Sequence, residues 1–180
     1  MSVALSTRAG ELSLEPATLA DFATVMAIVR EAAAWLSSRG NPQWEIWYSE
    51  IGEQIMRERV AEHEFYLGRI GDRSVATICI QWSDPMVWGA RGDDGLAGYV
   101  HSIAIVRGVG GRGVGADLLE WAVRRIAERG RRFARLDCMA GNAALCAYYQ
   151  ARGFTPLGVA TLPGDWTSRL FEREIPQSIC

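Results

Sequence analysis

Residues 103–122 read IAIVRGVGGRGVGADLLEWA. An apolar run meets five glycines between Gly108 and Gly115, and an amphipathic helix follows. Leu118, Leu119, Ala122 and Ile126 recur at helical spacing and mark its buried stripe, while Glu120 and Arg124 are spaced as an i,i+4 pair on the other face. A strand, a glycine loop and a helix start in that order form a phosphate-holding turn. Backbone N–H groups gather at the helix N-terminus, the helix dipole adds positive potential, and glycine removes the side chains that would block approach.

Two registers of the loop are open. Gly108, Gly110 and Gly113 satisfy G-x-G-x-x-G, with Asp137 near the end of the next strand, which is the pattern of a dinucleotide turn. Against it stand Arg112 inside the loop and His101 and Ser102 in the preceding strand. Too few strand–helix steps remain after residue 100 for a doubly wound sheet. The second register takes Gly111-Arg112-Gly113-Val114-Gly115, whose N–H groups hold a pyrophosphate with the Arg112 charge beside them.

Outward from the loop, 180 residues suit one domain spanning 1–180. A net charge of −2 gives no global field for nucleic acid or an anionic membrane, and all 19 basic residues are arginine. Cys79, Cys138, Cys146 and Cys180 form no C-x-x-C pair. With only two histidines no metal site is expected, and the thiols read as reduced, in a cytoplasmic protein. No signal-like segment or long apolar run appears. Residues 1–10 and 176–180 are expected to be flexible ends.

LSLEPAT is expected to form the first strand, with Thr18 and Asp21 as a short capping box before a helix that Gly40 closes. A second helix runs from about Ser49 to Glu62, and EFYLGRIGDRSVATICIQW reads as a hairpin. A loop over 83–98 precedes the strand Tyr99–Val106. A helix over 114–129, the strand RFARLDCM, a helix from Asn142 to Gly153 and a closing strand pair follow. The pattern is a mixed α/β single domain.

YVHSIAIVRGVGGRGVGADLLEWA resembles motif A of the GNAT superfamily of N-acetyltransferases, in which a strand leads into a Q/R-x-x-G-x-G/A loop that cradles the pyrophosphate of acetyl-CoA. Gly113 and Gly115 match its glycine end. The Q/R position falls on Gly110, a departure that Arg107 or Arg112 could offset. LDCMAGNAALCAYYQARGFTPLG is similar to the family's motif B, with Asn142, Tyr149 and Gly153-Phe154 at the expected spacing. The two motifs cover about the last half of the chain.

The resemblance implies a mostly antiparallel sheet flanked by helices, with a splayed central strand pair that binds acyl-CoA. It implies direct attack of an amine on acetyl-CoA through a tetrahedral intermediate, with CoA as product. The main chains of Ile103, Ala104 and Ile105 would hold the pantetheine arm. Gly110, Gly111, Arg112, Gly113, Val114, Gly115 and Ala116, with Asn142 and Tyr149, complete the cofactor site. Tyr149 matches the family's general acid; otherwise it is a packed helix aromatic. At period two, Tyr99, His101, Ile103 and Ile105 share a face, which places His101 as general base or as a histidine bonded within the sheet. Asp84, Glu45 and Asp93 lie in loops and are weaker candidates. Trp44, Trp47 and Tyr48 either wall an acceptor pocket or plug a loop to the core. The acceptor is expected to be a small-molecule amine, without nucleic-acid or membrane partners, and a homodimer stays open. The rivals are a non-catalytic acyl-CoA-binding regulator and the dinucleotide oxidoreductase.

Overall fold

The structure, a computed structural model, describes residues 2–62, 64–163 and 166–176. Among the described residues eight strands are ordered β1-β2-β3-β4-β5-β6-β8-β7. The assigned pairings are antiparallel except for β5 with β6, which is parallel. The chain divides into two compact units, Met1–Ile80 with Ser102–Leu119, and Gln81–His101 with Glu120–Cys180.

In the first unit, β1 (Val3–Thr7) and β2 (Gly10–Pro16) form a hairpin. The expectation of a flexible stretch up to residue 10 fails here. Leu5 is buried, and Gly10 turns the chain at φ 124° where its carbonyl accepts the Thr7 hydroxyl at 2.7 Å. LSLEPAT therefore supplies the second strand and not the first. β2 pairs with β3 (Glu64–Ile70) and β3 with β4 (Arg73–Gln81), both antiparallel, with Gly71 at φ 57° in the tight turn of the expected hairpin. The Thr18–Asp21 capping box forms as read and leads into α1 (Phe22–Ser37). Leu12, Leu14, Val25, Val29 and Met56 are fully buried, the last of these on α2 (Glu50–Glu62).

In the second unit, the segment expected as a plain loop over 83–98 contains the short helix α3 (Pro85–Trp88). Asp84 caps it by accepting the Val87 N–H at 3.4 Å. Gly92 then folds back so tightly that a Cβ there would lie 2.3 Å from the Asp84 carbonyl oxygen. Strand β5 (Ala97–Ile105) follows, and α4 (Val114–Glu128) and β6 (Phe133–Met139) come next. Strand β5 and helix α4 each run from one unit into the other. The stripe Leu118, Leu119, Ala122 and Ile126 is fully buried. Glu120, expected to pair with Arg124, instead takes both guanidinium nitrogens of Arg173. That partner is 53 residues away, which helical spacing alone could not reveal.

Helix α5 (Ala143–Gln150) precedes the antiparallel pair β7 (Thr155–Leu162) and β8 (Trp166–Glu174). Arg135 on β6, its side chain 4% exposed, binds Asp94 and Glu172, each at 2.8 Å. A buried guanidinium is tolerated only when it is paired and hydrogen-bonded, and the Arg91 carbonyl and Tyr99 hydroxyl accept from Arg135 alongside these two carboxylates. Of the tail expected at 176–180, residues 177–180 lie outside the described residues.

Candidate acyl-CoA site

The glycine loop belongs to the first unit. Val109 and Val114 are buried at its two ends, and residues 110–113 between them are exposed. Gly111 at φ 77° and Gly113 at φ 85° lie in the left-handed region, which a side chain with a Cβ enters only with strain. A Cβ at Gly111 would meet nothing within 4 Å, so the backbone at that point opens outward. Among the described residues, none of the N–H groups from Gly111 to Gly115 has an acceptor. Ala116 and Asp117 are the first to donate into the helix, both to the Gly113 carbonyl. Five clustered donors at the positive end of a fifteen-residue helix suit an anion with several oxygens. The carboxylate of Asp117 faces Gly113, so an anion there shares the helix end with one negative charge.

The two arginines offered in place of the missing Q/R residue differ. The Arg107 N–H donates to Glu31 at 2.7 Å, and its guanidinium lies over the Trp35 ring at 4.4 Å from the centroid. Arg112 is exposed and has no hydrogen-bond or charge partner among the described residues. Arg112 is thus the one of the two whose charge is unengaged.

Ahead of the loop, Ser102 takes φ 53°, the one non-glycine residue with positive φ among those described. Its carbonyl accepts the buried Thr77 hydroxyl at 2.7 Å, and its own hydroxyl accepts from Arg59 at 3.1 Å. Strain of this kind persists only where neighbours fix it. It also corrects the alternation expected along β5. Period two holds in extended backbone, so the sequence Tyr99, His101, Ile103, Ile105 does not continue on one face through Ser102. Ile103 and Ile105 are half-buried and Ala104 is buried.

In the second unit, β5 pairs with β6 only from Ala97–Phe133 to Tyr99–Arg135. Beyond that, β6 keeps its antiparallel partner β8 as far as Met139. Tyr149 on α5 is buried between the rings of Phe154 and Phe171, with Tyr148 edge-on at 5.6 Å. Burial, reinforced by Cys138, Tyr148 and Asp137, pushes its phenol upward, so it stays protonated near neutrality. Asn142 caps α5 by accepting the Leu145 N–H at 3.1 Å, which leaves its amide nitrogen available to a ligand. Cys138 lies 3.7 Å from Cys146, sulfur to sulfur, and burial pushes the Cys138 thiol up; Cys79 is pushed up to about 12 for the same reason. Cys79 and Cys138 are buried and behave as small hydrophobes, as expected.

His101 sits beside two carboxylates. Its Nε2 is 3.3 Å from Asp84 Oδ2, and both side chains are 9% exposed. Among the described residues neither atom has a hydrogen-bond partner. Donor atoms of Asp84, His101 and Asp137 all lie within 4.8 Å of one another. Sequence reading singled out His101 but could not link it to Asp84 or Asp137, since nothing local joins residues 17 and 36 positions away. The aromatic stretch divides. Trp47 is buried in the first unit under Arg59, its carbonyl accepting Arg30 Nε at 2.9 Å. That fits the plug reading. Tyr48 is 53% exposed with its hydroxyl on the Arg30 carbonyl, and Trp44 is half-buried.

A strand with a left-handed residue at Ser102, a glycine loop in the left-handed region and the acceptor-free amides of a helix start lie within an α/β protein with a mixed, mostly antiparallel sheet. The model of the Acetyltransferase (GNAT) family matches residues 29–154, and the chain belongs to that family. It is 30% identical over 165 residues to a Bacillus subtilis protein described as the uncharacterized N-acetyltransferase YesJ, covering 89% of this chain and 88% of that protein. A GNAT-family acetyltransferase structure from Listeria monocytogenes superposes with a TM-score of 0.75 at 21% identity, over 96% of this chain and all of that one. The PaiA N-acetyltransferase of Thermoplasma acidophilum, solved in complex with coenzyme A, matches at TM-score 0.69 and 14% identity, covering 91% and 99%.

Proposed function

We propose that residues 1–180 act as one acetyl-CoA-dependent N-acetyltransferase domain that acetylates the amine of a small molecule by direct attack. The carrying observation is the row of acceptor-free N–H groups from Gly111 to Gly115. Those amides and Arg112 would hold the pyrophosphate, with Gly110, Val114 and Ala116 shaping the loop. The main chain of Ile103, Ala104 and Ile105 would take the pantetheine arm, and Asn142 would add an amide donor. Bound there, acetyl-CoA supplies an activated acetyl thioester.

The chain's own residues then have two proton tasks. His101 removes the proton of the acceptor amine, which must be neutral to act as a nucleophile. Tyr149, held protonated, offers a proton to the departing thiolate. Because burial makes it a weak acid, its help depends on negative charge building on the sulfur. Trp44 and Tyr48, the less buried of the three aromatics, would border the acceptor, whereas Trp47 is buried. Among the described residues no helix is long and apolar enough to cross a membrane.

Free thiol released from acetyl-CoA is measured with a panel of small amines, peptides and antibiotics. Release that depends on a small amine is the expected result. CoA binding without release for any acceptor would favour the non-catalytic regulator instead. With an acceptor in hand, His101→Ala should lower kcat/KM roughly 10²-fold at neutral pH. The deficit should shrink at higher pH, where more amine is already neutral. A pH-independent loss would make His101 structural.

A further inference from the structure

We propose that Asp84, His101 and Asp137 form a binding site for a divalent transition-metal ion of the Zn2+ class, and that occupancy switches the enzyme off. Four observations converge. Asp84 Oδ2 and His101 Nε2 are 3.3 Å apart, and both side chains are more than nine-tenths buried. Despite that distance neither atom has a hydrogen-bond partner among the described residues, which leaves a lone pair on each open to a shared ion. A carboxylate oxygen and an imidazole nitrogen each about 2.0–2.1 Å from a tetrahedral metal are themselves separated by about 3.4 Å. The third donor, on Asp137, lies within 4.8 Å of the other two.

Charge and anchoring agree with this. Two carboxylates and a neutral imidazole carry two negative charges, which one divalent cation cancels. A buried carboxylate oxygen without a partner is costly, and a cation removes that cost. Asp84 is also held as a ligand should be. Its N–H donates to the Gly92 carbonyl at 2.7 Å, and its other oxygen accepts the Val87 N–H, leaving Oδ2 fixed in direction. Low cysteine and histidine counts argue only against thiolate and multi-histidine sites, and leave this ligand set untouched.

Ligation occupies the lone pair of His101 Nε2. The inhibitory part of the proposal rests on His101 being the general base; the binding part does not.

Zn2+ is titrated by calorimetry into the purified full chain and into Asp84→Asn, His101→Ala and Cys146→Ser, with folding checked by circular dichroism. One ion per chain is expected for the parent and for Cys146→Ser. Affinity should fall roughly tenfold or more in the other two. Co2+ bound in place of Zn2+ should give no thiolate charge-transfer band. If Asp84→Asn does not fold, Asp137→Asn replaces it and should show the same weakening. No binding by the parent, equal affinity in all variants, or loss confined to Cys146→Ser would overturn the site. Zn2+ should stop acetyl transfer over the range in which it binds. Binding without inhibition would keep the site and remove His101 as the base. Loss of activity in His101→Ala without any Zn2+ binding would keep the base and remove the site.

Discussion

The glycine loop and the cluster around His101 solve opposite problems. The loop is exposed and made of backbone: its functional groups are N–H donors that every residue but proline carries, and its sequence matters through what it omits. The cluster is made of side chains, Asp84 buried and His101 and Asp137 half-buried: they come from α3's cap, β5 and β6, and each is specific. A backbone site tolerates side-chain change unless φ is disturbed. A side-chain site fails with the loss of one atom. That contrast decides which substitutions should be severe.

The largest effect is expected at Gly113. Val at φ 85° forces the loop to reorganise. Losing two charge-assisted N–H contacts to a pyrophosphate costs about 3 kcal/mol or more, so the CoA dissociation constant should rise about 100-fold or more in a protein that still folds. Calorimetry on Gly113→Val measures this, and unchanged affinity would remove the phosphate from the loop. Next comes Tyr149→Phe, which deletes one oxygen from a ring packed against Phe154 and Phe171. A roughly 10²-fold fall in kcat is expected, with CoA affinity nearly intact. Tyr148→Phe is the control and should change little. Damage at Tyr148 with Tyr149 silent would reverse the assignment. Arg112→Ala should be mildest. Its side chain is exposed, so its charge contributes about 0.2–1 kcal/mol to phosphate binding, a weakening of fivefold or less (roughly 1.4- to fivefold). A weakening as large as that of Gly113→Val would mean that the arginine and not the backbone carries the site.

The same contrast explains what the sequence could say. Glycines at 111, 113 and 115 fix a backbone shape locally, so the loop and its helix were legible, down to the stripe Leu118, Leu119, Ala122 and Ile126. The hairpin turning at Gly71 was legible for the same reason. Strand β1 was missed because its alternating Val3, Leu5 and Thr7 sit among small polar residues, and its stability comes from pairing with β2. Helix α3 is a single turn whose cap, Asp84, looks like loop composition. Ser102 broke the alternation along β5 because nothing local signals a serine at φ 53°; it is held there by Thr77 and Arg59, 25 and 43 residues away. Asp84 and Asp137 were each visible, one as a loop acid and one as the acid of a dinucleotide pattern. Only the fold puts them beside His101.

The central claim is that the backbone amides of residues 111–115 hold the pyrophosphate of CoA. Backbone amide NMR of the 15N-labelled chain during titration with CoA tests it residue by residue. The N–H resonances of Gly111 through Gly115 should show the largest shifts, saturating together with the calorimetric binding curve. Saturable CoA binding that leaves those five resonances in place would contradict it.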